Sequence, residues 1–213
     1  ITFGTFVTLF PQLIAGPIIK YKDLDDQLER RTHSFDKFAS GVQRFTIGAC
    51  KKVLLANALG PLWDAYLATP SGQLTTLGAW LGIIAFSLQL YFDFSGYSDM
   101  AIGLGRMLGF EFLENFNYPY LSKSASEFWR RWHISLGSWF REYLYFPLGG
   151  SRVKPARMVF NLLIVWAATG IWHGASWNFL IWGLYWFVWI GLEKVWLGRV
   201  LDQAPGWLCH VYG

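Results

Sequence analysis

An all-α, multi-pass membrane protein is the fold class this sequence predicts, and three observations carry the prediction. Of its 213 residues, 54% are apolar and 15% charged, with a mean hydropathy of +0.29. A soluble domain reaches about 45–50% apolar even with glycine included. Two stretches, Ala65 to Phe92 and Met158 to Leu192, carry no Asp, Glu, Lys or Arg over 28 and 35 residues. About 20 apolar helical residues cross a hydrocarbon core. Aromatic residues make up 19%, with 13 Trp, as suits side chains at a lipid–water boundary. The net charge of +4 and pI near 9.1 fit anionic lipid or an anionic substrate. No basic run interleaved with exposed aromatics predicts a nucleic-acid surface.

Residues 1–19 are apolar but interrupted by Pro11, Gly16 and Pro17. They predict a kinked span, or one that enters and leaves by the same side. The opening "ITFGTFVTLF" lacks the pattern of a signal peptide, and the chain reads as a piece of a longer protein. Residues 20–37 hold five bases and five acids and predict a solvated loop. Residues 38–68 predict an amphipathic helix pair, with Lys51 and Lys52 at one end and a break at Gly60-Pro61. A span follows at about 75–93, where Asp93 and Asp99 close the apolar run. Asp99 and Arg106 stand seven apart on one helix face and predict an ion pair. Asp93, beside Ser95, is a group able to orient an active-site residue.

The stretch "SASEFWRRWHISLGSWFREYLYFPLGG" predicts one helix, opened by a capping box of Ser124 and Glu127 and stopped by Pro147 and Gly149-Gly150. At 100° per residue, Glu127, Arg130, Arg131, Ser138, Arg141 and Glu142 share about 120° of arc. His133 falls on the opposite, aromatic arc with Trp129 and Phe140. Residues 120–157 carry seven bases and two acids. Two readings fit: an interfacial helix on anionic lipid, or a re-entrant helix offering arginines to a phosphorylated ligand and a histidine to the interior.

The 35-residue charge-free run would be roughly 52 Å of helix, too long for one pass. The small polar group "HGASWN" in its middle predicts two short passes, the alternative being one long tilted helix. A hairpin would put Arg157, Lys194 and Arg199 on one side, which the positive-inside rule makes cytoplasmic. His173, in "TGIWHGASWNF", is then a titratable ring in an apolar segment. It is either a core histidine bonded to a carbonyl or a functional one. "GLGRMLG" fails the dinucleotide pattern because Leu108 stands at the third glycine. His33, His210, Cys50 and Cys209 have no partners at metal spacing, so no zinc or other metal site is expected.

Four motifs in order, "YFDFSGYSDMAIGLGRMLGF" with "ENFNYPY", "SEFWRRWHISLGSWFREYLYFPLGG" and "GIWHGASWNFLIWG", together with the early "LFPQLIAGPI", resemble the membrane-bound O-acyltransferase (MBOAT) family. The bacterial branch that acetylates alginate and peptidoglycan is the most similar. The matches cover about residues 8–190. The resemblance implies that residues 1–213 are a partial MBOAT domain from which most N-terminal helices are missing. It implies an enzyme of the bacterial inner membrane with no bound cofactor. Acetyl would pass from a cytoplasmic donor, acetyl-CoA, to a hydroxyl of a cell-envelope polysaccharide, often through an extracytoplasmic partner protein. The "WHG" histidine, here His173, is implied as the catalytic residue, and the "WRRWH" histidine, here His133, as the second.

A neutral imidazole is the usual group to take a proton from an attacking hydroxyl near pH 7. Gly170 and Gly174 are expected to leave room for substrate beside His173, and Trp172 and Trp177 to wall off water. Coenzyme A phosphates need cations, and Arg130, Arg141, Arg152, Lys154 and Arg157 form the nearest cluster in sequence. Asp93 and Asn178 are supporting candidates. D-alanyl transfer in teichoic acid modification is the neighbouring reading, and a polymer transporter or scaffold the non-enzymatic one.

Overall fold

The structure, a computed structural model, describes residues 2–13 and 16–212, and among them every regular element is helical. Among the described residues, three helices are long and apolar enough to cross a membrane: Thr76–Met107, Pro155–His173 and Trp177–Gln203. The chain divides into two compact units, 1–114 and 115–213.

The first unit opens with α1 (Thr2–Thr8) and a 3-10 turn at Phe10–Gln12. Seven helical residues reach about 10 Å, too short for a span. Ile14 and Ala15, in the middle of the expected kinked span, lie outside the described residues. Residues 20–37 are not a loop: α2 (Tyr21–Arg30) occupies most of them. Leu24 and Leu28, four apart on one face, are buried against Ile102, Phe110 and Phe112. Counting charges hides this period, because most of the acids and bases of α2 occupy its outer face.

Helix α3 (Phe35–Cys50) is capped by Ser34, whose Oγ accepts from Lys37 N at 3.1 Å. It continues through a π-helical turn at Lys51–Ala56 into α4 (Asn57–Ala68). The break expected at Gly60-Pro61 is absent. The irregular turn instead ends at Asn57, whose carbonyl Pro61 has no N–H to reach.

Helix α5 (Thr76–Met107) runs 32 residues, well past the span expected at 75–93. It tolerates its two aspartates because neighbouring bases neutralise them. Asp99 Oδ2 accepts from Lys51 Nζ at 2.6 Å and Oδ1 from Arg44 Nε at 2.9 Å, while Lys52 pairs with Asp93. The expected Asp99–Arg106 pair does not form, and Arg106 bonds Glu111 at 3.2 Å instead. Residues seven apart on a helix are about 10 Å apart along its axis, whereas α3 faces Asp99 directly. Glycines let α3 approach that closely. A Cβ on Gly41 would lie 2.7 Å from the Gly103 carbonyl, and one on Gly48 2.5 Å from that of Gly96.

The second unit holds α6 (Ala125–Arg131), α7 (Ile134–Phe140) and a π-helical turn at Arg141–Tyr145. Then come α8 (Pro155–His173) and α9 (Trp177–Leu192), the two short passes that the small polar group predicts. A π-helical turn at Glu193–Leu197 leads to α10 (Gly198–Gln203) and α11 (Gly206–Tyr212). Gly170 and Gly183 bring α8 and α9 together. A Cβ on Gly170 would lie 2.5 Å from the Phe179 carbonyl, and one on Gly183 would collide with that of Trp166. The core is aromatic: Trp129 meets Trp166, Trp182 and Trp186 edge-on at 5.1–5.5 Å.

Candidate functional site

The single helix expected over 124–146 is broken at His133. Its start is as expected, since Ser124 Oγ accepts from Glu127 N at 3.0 Å. The Glu127 carboxylate closes the cap on Lys123 N, at 2.9 Å, rather than on Ser124. Helix α6 stops at Arg131, and His133 takes left-handed backbone angles of φ 45° and ψ 54°. That conformation costs a non-glycine residue about 1–3 kcal/mol and needs outside support. Asn115, fully buried, supplies it. Its carbonyl accepts from Ile134 N at 2.9 Å, and its Oδ1 accepts from the Ser135 hydroxyl at 2.8 Å and from Ser135 N at 3.2 Å. Asn117 N adds a bond to the Arg131 carbonyl at 2.9 Å. Both asparagines belong to "ENFNYPY", a motif whose work only the fold reveals.

The kink turns His133 inward, where it is 6% exposed. Burial pushes its imidazole from the ordinary 6.5 down to about 3, and charge on His173 acts in the same direction. His133 is therefore neutral throughout the physiological range.

His173 ends α8 and is exposed. Trp172 links the two histidines: its ring centroid lies 6.0 Å from that of His133 and 4.9 Å from that of His173. Trp182 stands edge-on to His173 at 4.8 Å, and Phe179 lies beside it at 6.2 Å. Two expectations fail here. Trp177 is 78% exposed, and the α9 tryptophan that packs on His173 is Trp182, more than one turn further on. Nor do the glycines leave room for substrate. The Phe179 backbone fills the space beside Gly170, and a Cβ on Gly174 would lie 2.6 Å from the Phe179 ring. The small residues serve the hairpin's close packing.

His133 opens on a cavity of about 450 Å³, lined among others by Arg130, Arg141, Trp166, Thr169 and Lys194. Among the described residues, no acidic residue lines it. Arg130, Arg141 and Lys194 make no ion pair among the described residues. Along α8 the lining runs from Leu162 to Thr169, about 10 Å at the helical rise, with Trp172 one turn beyond. The cavity thus holds three cations and His133 in its lining, whereas Trp172 and His173 do not line it. At its edge the Ser126 hydroxyl and the Trp129 indole N–H are buried with no hydrogen-bond partner among the described residues.

The expected five-cation cluster divides. Arg152, Lys154 and Arg157 do not line the cavity. Arg157 Nε instead donates to Asn161 Oδ1 at 3.1 Å, and its guanidinium lies over Phe160 at 5.6 Å. Buried Asn161 also donates to the Leu148 and Gly150 carbonyls at 3.0 and 3.1 Å, tying the loop before α8 to that helix. Lys194 replaces the trio at the cavity; in sequence it marks only a helix end. Asp93 is held by Lys52 in the first unit, and Asn178 is exposed in the first turn of α9. Among the described residues, no three His, Cys, Asp or Glu side chains gather closely enough to hold a metal.

The model of the membrane-bound O-acyltransferase family matches residues 1–207. The "Probable alginate O-acetylase AlgI" of Azotobacter vinelandii is 53% identical over 205 residues, 96% of this chain and 40% of that protein. The peptidoglycan O-acetyltransferase of Helicobacter pylori is 43% identical, over 85% of this chain and 35% of that protein. The teichoic acid D-alanyltransferase of Bacillus subtilis is 31% identical, over 84% and 48% respectively. The chain thus spans less than half the length of each of these relatives.

Proposed function

Because the chain belongs to the membrane-bound O-acyltransferase family, we propose that its full-length protein is an O-acetyltransferase of the bacterial inner membrane. It takes acetyl from acetyl-CoA on the cytoplasmic side and sends it toward hydroxyls of a cell-envelope polysaccharide such as alginate or peptidoglycan. An extracytoplasmic protein or the polysaccharide itself receives the group. The observation that carries this reading is the cationic cavity lined by His133, with Trp172 in ring contact with both His133 and His173.

The cations of its lining, Arg130, Arg141 and Lys194, suit the phosphates of the donor. The apolar, aromatic length of the cavity suits its pantetheine arm. Near the histidines the acceptor oxygen attacks the thioester carbonyl while His173 takes the hydroxyl proton. As the C–S bond breaks, that proton passes to the departing thiolate, so ester and thiol leave with no net change in protons. Proton transfer of this kind is typically worth about 10²–10⁴ in rate. His133, neutral and fixed by the kink, orients the reacting groups against Trp172.

D-alanyl transfer is the second reading, supported by the relative named for it at 31% identity. Relatives named for acetylation, at 43% and 53%, favour acetyl. The test is transfer of label from acetyl-CoA in membranes matched for protein level. His173→Gln keeps the size and hydrogen bonding of the ring but cannot act as the base, and it should lose at least about 100-fold in turnover. Near wild-type turnover in that variant would make the ring structural.

A further inference from the structure

We infer that Glu193 is a positioning residue, whose buried carboxylate seats the first turn of α6 and thereby sets the wall of the His133 cavity. This rests on the reading of that cavity as part of the reaction site. Glu193 follows the longest charge-free run of the chain and is 7% exposed. Its Oε1 accepts from Ala125 N at 2.7 Å and its Oε2 from Ser126 N at 2.8 Å. The Tyr212 hydroxyl donates to Oε1 at 2.9 Å.

The first N–H groups of a helix have no partner within it, and a carboxylate there is also favoured by the helix dipole. Helix α6 needs such help, because its seven residues are too few to persist unaided. Ser124 holds Glu127 N and Glu193 holds the two N–H groups before it. The α6 residues Ser126, Trp129 and Arg130 line the cavity, and His133 follows within a turn. Lys194, the next residue after the clamp, lines it too. One π-helical turn, Glu193–Leu197, therefore supplies both an anchor for the histidine-bearing element and a cation for the cavity. Such turns within helices are frequent at functional sites.

The test uses the full-length protein in membranes, with its other cysteines replaced and a reporter Gly137→Cys. Gly137 lines the cavity and is exposed, and a Cβ there meets nothing nearer than the Trp129 carbonyl at 3.6 Å. Glu193→Gln keeps the shape but turns an amide against backbone N–H groups. It should change the reporter's rate with a permeant maleimide about tenfold. It should also lower kcat for acetyl transfer at least about tenfold, since misplacing reacting groups by about 1 Å can cost about 100-fold. KM for acetyl-CoA should rise as well, because Arg130 rides on α6, while the labelling of a control Ser151→Cys should stay unchanged. Glu193→Asp, which keeps the charge, should recover part of kcat and serves if the glutamine variant is not made. An unchanged reporter rate, or a loss confined to KM, overturns the proposal. If the wild type transfers no acetyl from acetyl-CoA, the functional reading fails, while the reporter still decides whether the carboxylate sets the cavity wall.

Discussion

His133 shows how one ring acquires its chemistry from its backbone. A left-handed residue breaks the helix, the break turns the imidazole inward, and burial then removes its proton. Above pH about 6.5 the ring is neutral in both the folded and unfolded chains and adds no pH dependence. Between about 6.5 and 3 only the unfolded chain takes up the proton, so stability falls with pH across that window. His133→Asn should flatten this part of the acid-denaturation profile, followed by the melting temperature of purified protein between pH 7 and 4. An unchanged slope would mean that the ring is protonated in the fold. The cations make a second residue-level prediction. Replacing Arg130 and Arg141 together by Gln should raise KM for acetyl-CoA about tenfold or more, as loss of charge-assisted bonds implies. Replacing Arg152, Lys154 and Arg157 together should leave KM within a factor of about two, because none of them lines the cavity. Equal effects from both sets would restore the five-cation cluster expected from sequence.

Among elements, the hairpin of α8 and α9 holds His173 against Trp182. Its tightness depends on Gly183, where an added methyl would collide with the Trp166 backbone, which has nowhere to move. Gly183→Ala should therefore cost about 1–3 kcal/mol, read as a lowered melting temperature in detergent. Gly137→Ala, whose Cβ would make only an ordinary contact with the Trp129 carbonyl at 3.6 Å, should not. Equal stability of the two variants would mean that α8 and α9 are less closely packed. The elements also show what residue counting misses. Residues 20–37 read as a loop while their charges were totalled, yet Leu24 and Leu28 mark a helix once period is considered. The reverse happened at 124–146, where a good helical period ran through a position that Asn115, from outside the segment, holds in a turn.

At the scale of the molecule, the hairpin sets Arg157 at the start of α8 and Lys194 and Arg199 beyond the end of α9 at one end, and the charge rule predicts a cytoplasmic position for that end. Ser151, exposed just before α8, reports the orientation. In intact cells, Ser151→Cys in a cysteine-free background should resist an impermeant maleimide and react once the membrane is opened. Labelling from outside would reverse the orientation, and with it the side from which the donor comes.

Composition and charge spacing sufficed for the helical membrane class and the two passes around "HGASWN", because the cost of burying charge in hydrocarbon is written along the chain itself; the family was legible only through the resemblance of its motifs. The charge-free run singled out His173 as a titratable ring in an apolar segment, and the roles of His173 and His133 were implied by the resemblance alone. Their surroundings were not legible. Asn115 under the kink, Trp182 in place of Trp177, Lys194 in place of Arg157 and the Glu193 clamp all join residues far apart in sequence. Asp99 likewise chose Arg44 and Lys51 on another helix over Arg106 on its own. A period read along one segment gives the direction of a side chain, but its partner is chosen by how closely a second helix can approach. That approach was decided by glycine contacts that only the packed structure contains.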